Sequence, residues 1–304
     1  MKLAVVSVAY NDDFKIEQWH TYYEQYKAAV DYHIIVDNGS ENTFIKRMEE
    51  IFCKSVLIKR KVNGGSTGAY NTGIRYVLEH TDADAIMLLG NDIKISAASL
   101  IQLMNYLEQH SSVGMVAPIM CNADSEVVAD FGCEIDNSLM LKPYMVGKKL
   151  KDIKECEHMC EAVTGGVNMA KRLFYKDVGL QDENLFMYSD EVDMGLRTKA
   201  CGYEMACLYE AVCWHQHVNP PGSKYRKPYS AYLMARNKVY LANKHGLKKE
   251  KKRVMKTFMN QAIKNYAKGI IKKDSELREK AKYIIAGIIY GFRNDMASNK
   301  YTQY

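Results

Sequence analysis

Five short apolar segments, each followed by a polar turn, constrain the fold of this 304-residue chain more than any other feature. They are residues 3–9, 33–37, 55–59, 84–89 and 113–119. Continuous aliphatic runs of this length are typical of strands that are buried on both faces. Helices are predicted between them at residues 15–29, 42–52, 66–80 and 96–110. Strands alternating with helices predict an α/β fold with a mostly parallel sheet and helices on both faces.

Polar residues follow four of the predicted strands directly. They are Asn11, Asp37 to Ser40, Asn63 to Gly68, and Asn91-Asp92. Ligands of open α/β sheets bind outside the carboxyl ends of the strands, so we expect these residues to line one crevice. The Asp37 carboxylate can accept hydrogen bonds from the base or ribose of a nucleotide. The Gly-rich segment can bring the N-terminal amides of a helix to a phosphate. Asp92 can hold Mg²⁺ or Mn²⁺. The simpler alternatives are an Asn-Gly turn, a capped helix and a helix N-cap.

A second group of polar residues lies far along the chain. Asp190, Glu191 and Asp193 place three carboxylates within four positions, between apolar and aromatic neighbours. Carboxylates this close repel one another, which raises a pKa toward the range useful for a general base. His215 and His217 would point the same way from a strand, as suits a metal or phosphate site. The alternative is a structural pair of histidines.

Taken together, six segments resemble the family-two glycosyltransferases of the GT-A fold, in the rhamnosyltransferase and galactofuranosyltransferase branch. They cover roughly residues 3–240 in the family's order: Val6 to Asn11, Val36 to Ser40, Asn63 to Gly73, Leu88 to Ile93, Gly165 to Glu183, and Phe186 to His215. The resemblance implies a Rossmann-like mixed sheet with a nucleotide-sugar site. Arg236-Asn237 also resembles an Arg-Asn pair on the helix that follows the family's catalytic domain.

The resemblance also implies roles for individual residues. Donor nucleotide contacts fall on Tyr10, Asn11, Asp37, Asn63, Gly68, Asn71 and Asn91. Metal ligands fall on Asp92 and His215, although Gly90 stands where the family's metal motif has its first aspartate. The acidic motif makes Glu191 the catalytic base, with Asp190 as the alternative if the alignment slips by one residue. Acceptor contacts fall on Gly165, Gly166 and Asp193.

The implied function is an inverting, metal-dependent hexosyltransferase that uses Mn²⁺ or Mg²⁺. It would move a sugar from dTDP-rhamnose or a UDP-sugar to a glycan or lipid-linked glycan in cell-surface polysaccharide synthesis. A non-catalytic nucleotide-sugar-binding scaffold is one alternative, which Gly90 favours. A sugar-nucleotide pyrophosphorylase is another, but Ala9-Tyr10-Asn11-Asp12 lacks the Gly-rich loop that such enzymes carry after the first strand.

Charge divides the chain unevenly. Residues 241–304 carry 16 Lys plus Arg and 5 Asp plus Glu, a charge of +11, which leaves −5 of the total +6 for the first 240 residues. We therefore predict a catalytic domain at 1–240, with a nucleotide-binding half at 1–120 and an acceptor-binding half at 121–240. A basic helical extension follows at 241–304. Its charge favours an anionic membrane surface, and the alternative is a solvated helical face with a homodimer contact.

Other sequence features bear on location and partners. No apolar run is long enough to span a bilayer, and the N-terminal residues lack the long apolar stretch of a secretory signal. The chain is therefore expected to be cytoplasmic, or peripheral at the inner face of the membrane. The eight cysteines lack a disulfide framework spacing and are expected to be reduced. No nucleic-acid-binding motif accompanies the basic charge, so no nucleic-acid partner is expected.

Overall fold

The structure is a computed structural model that describes residues 1–216 and 229–297. Its strands are β1 Leu3–Ala9, β2 Tyr32–Asp37, β3 Val56–Lys59, β4 Ala85–Leu89, β5 Ile93–Ile95, β6 Val113–Asn122, β7 Val128–Asp130, β8 Cys133–Ile135, β9 Leu141–Pro143, β10 Glu157–Cys160, β11 Val167–Lys171 and β12 Glu204–His215. Its α-helices are α1 Ile16–Tyr26, α2 Asn42–Ile51, α3 Gly65–His80, α4 Ala97–Gln109, α5 Arg172–Asp177, α6 Asp190–Ala200, α7 Tyr229–Lys244, α8 Lys248–Ile271 and α9 Ser275–Phe292.

Ten strands form one mixed sheet in the order β10-β12-β6-β11-β4-β1-β2-β3, with β5 on β12 and β7 on β6. The half that runs β4-β1-β2-β3 is entirely parallel. Strand β11 lies between β4 and β6 and is antiparallel to both. The α/β class and the mixed sheet flanked by helices are therefore confirmed.

The predicted strands all appear, and the irregular middle of the chain forms short hairpin strands, β7 to β10. Two strands that the sequence did not predict are β5 and β11. Strand β5 has three residues, too few for a recognisable period. Strand β11 (VNMAK) follows two glycines and has Asn168 within it, although all but Lys171 of its residues are buried.

Helices cover both faces of the sheet, as the buried strands require. One core cluster joins alternate residues of β1, β2 and β4 to α3 and α5, and a second joins the opposite residues to α1 and α4. Gly73 lets α3 approach the sheet, since a Cβ there would lie 2.3 Å from Val6 Cγ1. This contact fixes the N-terminus of α3 at the carboxyl edge of the sheet.

Helices α7, α8 and α9 pack together around a separate core. That core also takes in Leu185 and Val192, which lie just before and within the first turn of α6. The predicted boundary at residue 240 falls inside α7, so the helical layer begins at Tyr229. The apolar run 283–292 lies in α9, where Ile284 and Ile288 are buried. Within the described ranges, no helix is long and apolar enough to cross a membrane.

Candidate active site

Hydrogen bonds join the ends of β1 and β2 to the Gly-rich segment at the carboxyl edge of the sheet. The backbone N–H of Asn11 donates to Ser40 Oγ at 3.0 Å, and Asn11 Oδ1 accepts from the N–H of Glu41 at 2.9 Å. Asn38 Nδ2 donates to Asn63 Oδ1 at 2.9 Å. These contacts bring the predicted polar tips together in one crevice.

Asp92 and His215 meet at the same edge because β5 pairs with the end of β12. The register sets His215 opposite Ile93, and the N–H of Gln216 donates to the carbonyl of Asp92 at 2.9 Å. As a result, His215 Nε2 lies 3.4 Å from Asp92 Oδ2. Residues that are 123 positions apart thus present a carboxylate and an imidazole to one point.

The donor set of this pair suits a divalent cation. Burial works to raise the pKa of the Asp92 carboxyl, but the hydrogen bond from His215 and the charge of Lys15 outweigh it and hold the pKa below its ordinary value. A carboxylate and an imidazole together favour Mn²⁺ over Mg²⁺, which takes oxygen ligands. No group of three or more His, Cys, Asp or Glu that could hold a metal occurs in residues 1–216 and 229–297.

Asp190 and Glu191 begin helix α6 and lie against the Gly165 backbone. A Cβ on Gly165 would be 2.8 Å from Glu191 Oε1 and 2.9 Å from Asp190 Oδ2. Burial and the charge of Glu191 raise the pKa of Asp190 well above its ordinary value. Burial also raises the pKa of Glu191, although backbone hydrogen bonds and the charge of Lys238 oppose the rise. Both shifts favour the protonated form, and the shift of Asp190 is the one that the neighbouring charge reinforces.

The Gly165-Gly166 segment connects the acidic pair to the Asp92 side of the crevice. The N–H of Gly90 donates to the carbonyl of Gly166 at 2.8 Å, so the segment is bonded directly to the strand end that carries Asp92. A Cβ on Gly166 would meet no atom within 4 Å. Open space therefore lies beside Gly166, whose neighbour Gly165 contacts the acids and whose carbonyl is bonded to Gly90, two residues before Asp92.

The sequence and the fold were compared with those of known proteins. The chain is 22% identical over 302 residues to the low-salt glycan biosynthesis hexosyltransferase Agl10 of Haloferax volcanii, covering 96% of this chain and 91% of the relative. The mannosyltransferase PcManGT of Pyrobaculum calidifontis, solved with GDP-Man and Mn²⁺, superposes with a TM-score of 0.56 at 14% identity, over 96% of this chain and 87% of that one.

This chain has the GT-A fold of these glycosyltransferases. The fold is also shared with GalNAc-T7, solved with UDP, GalNAc and Mn²⁺, at a TM-score of 0.65 and 12% identity. There the match covers all of this chain and 58% of the other protein. No family model matches the chain. The family-two GT-A resemblance is confirmed at this level, and the rhamnosyltransferase or galactofuranosyltransferase branch stays a prediction.

Several residues predicted to touch the donor make hydrogen bonds within the protein at the crevice. Asp37 is fully buried, and its carboxylate accepts from the N–H groups of Gly39 and Ser40. Asn91 donates to Asp12 Oδ2 at 2.7 Å and to the carbonyl of Val8 at 3.2 Å. In both cases the polar group is held by hydrogen bonds within the protein, and the nucleotide contact stays a prediction.

Asn71 has a similar internal role. Its amide exchanges two hydrogen bonds with the Gln181 backbone, at 2.8 and 3.0 Å, and donates to Glu183 at 3.0 Å. This joins α3 to the segment before the catalytic acids. The half-buried Tyr10 and Asn63 lie at the crevice, and Gly68 is buried within α3. They remain the predicted donor contacts with the most suitable placement.

Asp193 is not brought to the acceptor side. It is fully buried and contacts Arg197 Nε at 2.9 Å, Lys244 Nζ at 2.8 Å and His245 Nε2 at 2.8 Å. Burial opposes ionisation, but His245, Arg197 and Lys244 lower the pKa of Asp193 to about 2. The reason is that the side chain of Asp193 turns toward the end of α7, where Lys244 and His245 bind it. Asp193 therefore joins two helices.

Sequence reasoning did not identify two cations near the site. Arg60 donates to the Gly68 carbonyl at 2.6 Å and to Thr72 Oγ1, and a Cβ on Gly64 would lie 2.2 Å from its Nη2. Lys238 is buried on α7, and burial lowers its pKa to about 8. The available signals were a cation that directly follows a strand and a lysine within an apolar helix face. His217, the second predicted imidazole, lies outside the described residues.

Proposed function

We propose that this protein is an inverting glycosyltransferase that moves a sugar from a nucleoside diphosphate sugar to a hydroxyl of a glycan acceptor. The observation that carries the proposal is the arrangement around Gly165-Gly166. Gly165 contacts two carboxyl groups of raised pKa, open space lies beside Gly166, and the Gly166 carbonyl is bonded to Gly90, two residues before Asp92 of the Asp92–His215 pair. A transferase needs a base on the acceptor side and charge stabilisation on the leaving-group side.

Asp92 and His215 would hold Mn²⁺, or less well Mg²⁺, and such an ion would neutralise charge on the departing diphosphate. The bound species in the solved structures of related fold include GDP-Man, UDP-GlcNAc, and UDP with Mn²⁺. The donor base is therefore open between uridine, guanosine and thymidine. The relative Agl10 is a hexosyltransferase of glycan biosynthesis, which supports a glycan acceptor.

Glu191 is the proposed base. Lys238 and the backbone N–H groups favour its ionised form, whereas the charge of Glu191 keeps the proton on Asp190. The acceptor oxygen forms a bond to the anomeric carbon as the bond from that carbon to the diphosphate oxygen breaks. Glu191 takes the acceptor proton, and the diphosphate leaves with the electron pair. A single displacement of this kind inverts the anomeric configuration.

The test is a pair of isosteric variants assayed for sugar transfer. Glu191→Gln is expected to lower kcat by about 100- to 10,000-fold, the usual contribution of a general base, and to leave nucleoside diphosphate binding unchanged. Asp190→Asn should retain more activity, because the raised pKa of Asp190 favours its neutral form, which asparagine resembles. If Asp190→Asn is the more damaging variant, the base is Asp190. If both variants transfer sugar normally, the proposal fails.

The C-terminal helices are proposed to hold the enzyme at an anionic membrane surface, where a lipid-linked acceptor would lie. Helix α8 exposes Met259, Ile263, Tyr266 and Ile270, which are spaced at four, three and four residues and so share one face. Residues 248–273 carry ten Lys plus Arg and one Glu. An apolar stripe beside this much positive charge is typical of helices that lie in a membrane interface.

A further inference from the structure

The turn before the catalytic acids has an unusual backbone. Phe186, Tyr188 and Ser189 have φ of 64°, 68° and 67°, so three of four consecutive positions occupy the left-handed region without being glycine. Side chains disfavour this region because Cβ approaches the backbone carbonyl. Ser189 directly precedes Asp190, and its hydroxyl does not cap the helix. Contacts from elsewhere must therefore hold residues 186–189 in this conformation.

Helix α7 supplies those contacts. Asn237 is fully buried, and its Nδ2 lies 3.0 Å from the carbonyl of Leu185, 2.9 Å from that of Met187 and 2.9 Å from that of Tyr188. The amide has two hydrogens, so one of them is shared between two of these acceptors. One side chain thus binds three backbone carbonyls of the turn.

Arg236, beside it and also buried, completes the arrangement. Its Nη2 donates to the carbonyls of Asn184 at 3.1 Å and Leu185 at 3.0 Å. Its Nε donates to Asn237 Oδ1 at 3.0 Å, which turns the Asn237 amide so that its N–H groups face the turn. Arg236 and Asn237 therefore act as one unit of donors.

The opposite side of the turn contacts the start of α3. This helix begins at the crevice that Asn11, Ser40 and Asn63 border, which we call the donor crevice. The Phe186 carbonyl accepts from the N–H and hydroxyl of Thr67, both at 3.3 Å, and from Ser66 Oγ at 3.4 Å. Gly65 makes the approach possible, because a Cβ there would lie 1.9 Å from Phe186 O. The turn is held between α7 and the helix that follows the Gly-rich segment.

We propose that Arg236 and Asn237 are positioning residues that set the catalytic acids against the donor crevice by holding the 184–189 turn. Neither residue lines the cleft around the acids, so they act through the turn. Releasing the turn would leave residues 186–189 free to return to favoured φ values and would move the first turn of α6. The expected loss of activity rests on the proposed function. The expected release of the turn rests only on the hydrogen bonds of Arg236 and Asn237.

The test variant is Asn237→Asp, which keeps the shape but removes both N–H donors and faces a carboxylate toward three carbonyls. We expect kcat to fall about 100-fold, as for a catalytic group misplaced by about 1 Å, with KM for the donor unchanged. The matched control is Asn243→Asp on the same helix. Asn243 donates to α9, at the Gly291 carbonyl and Asn294 Oδ1, and does not touch the turn. The control should keep the kcat of the native enzyme.

Two further measurements separate positioning from general damage. Ser189→Gly in the Asn237→Asp background should recover part of kcat, because glycine adopts positive φ freely. Hydrogen exchange of the peptide covering 183–192 should be faster in Asn237→Asp than in Asn243→Asp. Unchanged hydrogen exchange in Asn237→Asp would overturn the inference, whatever the activity of the protein. If the native protein transferred no sugar at all, that result would count against the proposed function alone. Normal kcat in Asn237→Asp, or equal loss in both Asn variants, would also overturn it.

Discussion

At the scale of single residues, the chemistry depends on two neighbouring acids placed in different surroundings. Asp190 is set against the negative charge of Glu191, while Glu191 is within reach of the positive charge of Lys238. Two carboxyl groups whose pKa values are pushed apart can divide the tasks of holding and accepting a proton. The division is built by side chains from α6 and α7 together.

Removing the charge of Lys238 should change the pH dependence of transfer. Lys238 lowers the pKa of Glu191, so Lys238→Met raises that pKa. The ionised base then forms only at higher pH, and the acid limb of the kcat/KM profile should move upward. Lys238→Arg keeps the charge and serves as the control. An acid limb that stays in place in Lys238→Met would show that Lys238 does not act on the base.

Asp193 is expected to matter for stability. Asp193→Asn leaves Arg197, Lys244 and His245 without their buried counter-charge, and breaking such a group costs about 3–5 kcal/mol. Urea unfolding measures this loss. Asp177→Asn, at an exposed carboxylate bonded to Tyr203, should change stability by no more than about 0.5 kcal/mol.

The same carboxylate sets an acid limit on stability. The pKa of Asp193 is lowered to about 2 in the folded protein, against about 3.9 in an unfolded chain. Its contribution is therefore present above about pH 4 and is lost as the pH falls toward 2. The drop in unfolding free energy over that window should be smaller in Asp193→Asn. An identical drop in both proteins would contradict the role given to this residue.

At the scale of elements, helix α8 carries the prediction about membranes. Vesicles that contain phosphatidylglycerol should sediment the enzyme, and neutral phosphatidylcholine vesicles should not, since each basic residue near an anionic surface contributes about 1 kcal/mol. Ile263→Glu with Ile270→Glu should abolish binding. Leu173→Glu, at a leucine exposed on α5, is the control. Binding that survives the α8 substitutions would exclude this face as the contact.

The sequence predicts elements well where their pattern is regular. The buried strands β1, β2, β4 and β6 have mostly apolar runs, and the positions of the polar tips follow from them. Strand β5 is too short to show a period, and β11 is recognisable only once β4 and β6 are seen to flank it. The partners of Asp193 could not be predicted, because Lys244 and His245 reach it from another helix.

At the scale of the whole molecule, the active site is assembled from distant parts of the chain. Strand ends from the first half form the donor crevice, β5 and β12 bring Asp92 to His215, and α6 supplies the acids. The C-terminal helices are part of this assembly, because α7 holds the turn before α6 and α9 packs on α7. Gly287 and Gly291 of α9 allow that packing, since a Cβ at either would lie 2.4 Å from an α7 carbonyl.

The most direct test of the central claim is calorimetric titration of UDP, GDP and dTDP into the protein with and without Mn²⁺. One of them should bind only with the metal, and at 100 times its Kd it should add about 2.7 kcal/mol of stability. Asp92→Asn should abolish this binding, while Asp84→Asn, next to the far end of β4, should preserve it. Binding that ignores both metal and Asp92, or no binding of any nucleoside diphosphate, would contradict a metal-dependent nucleotide-sugar transferase.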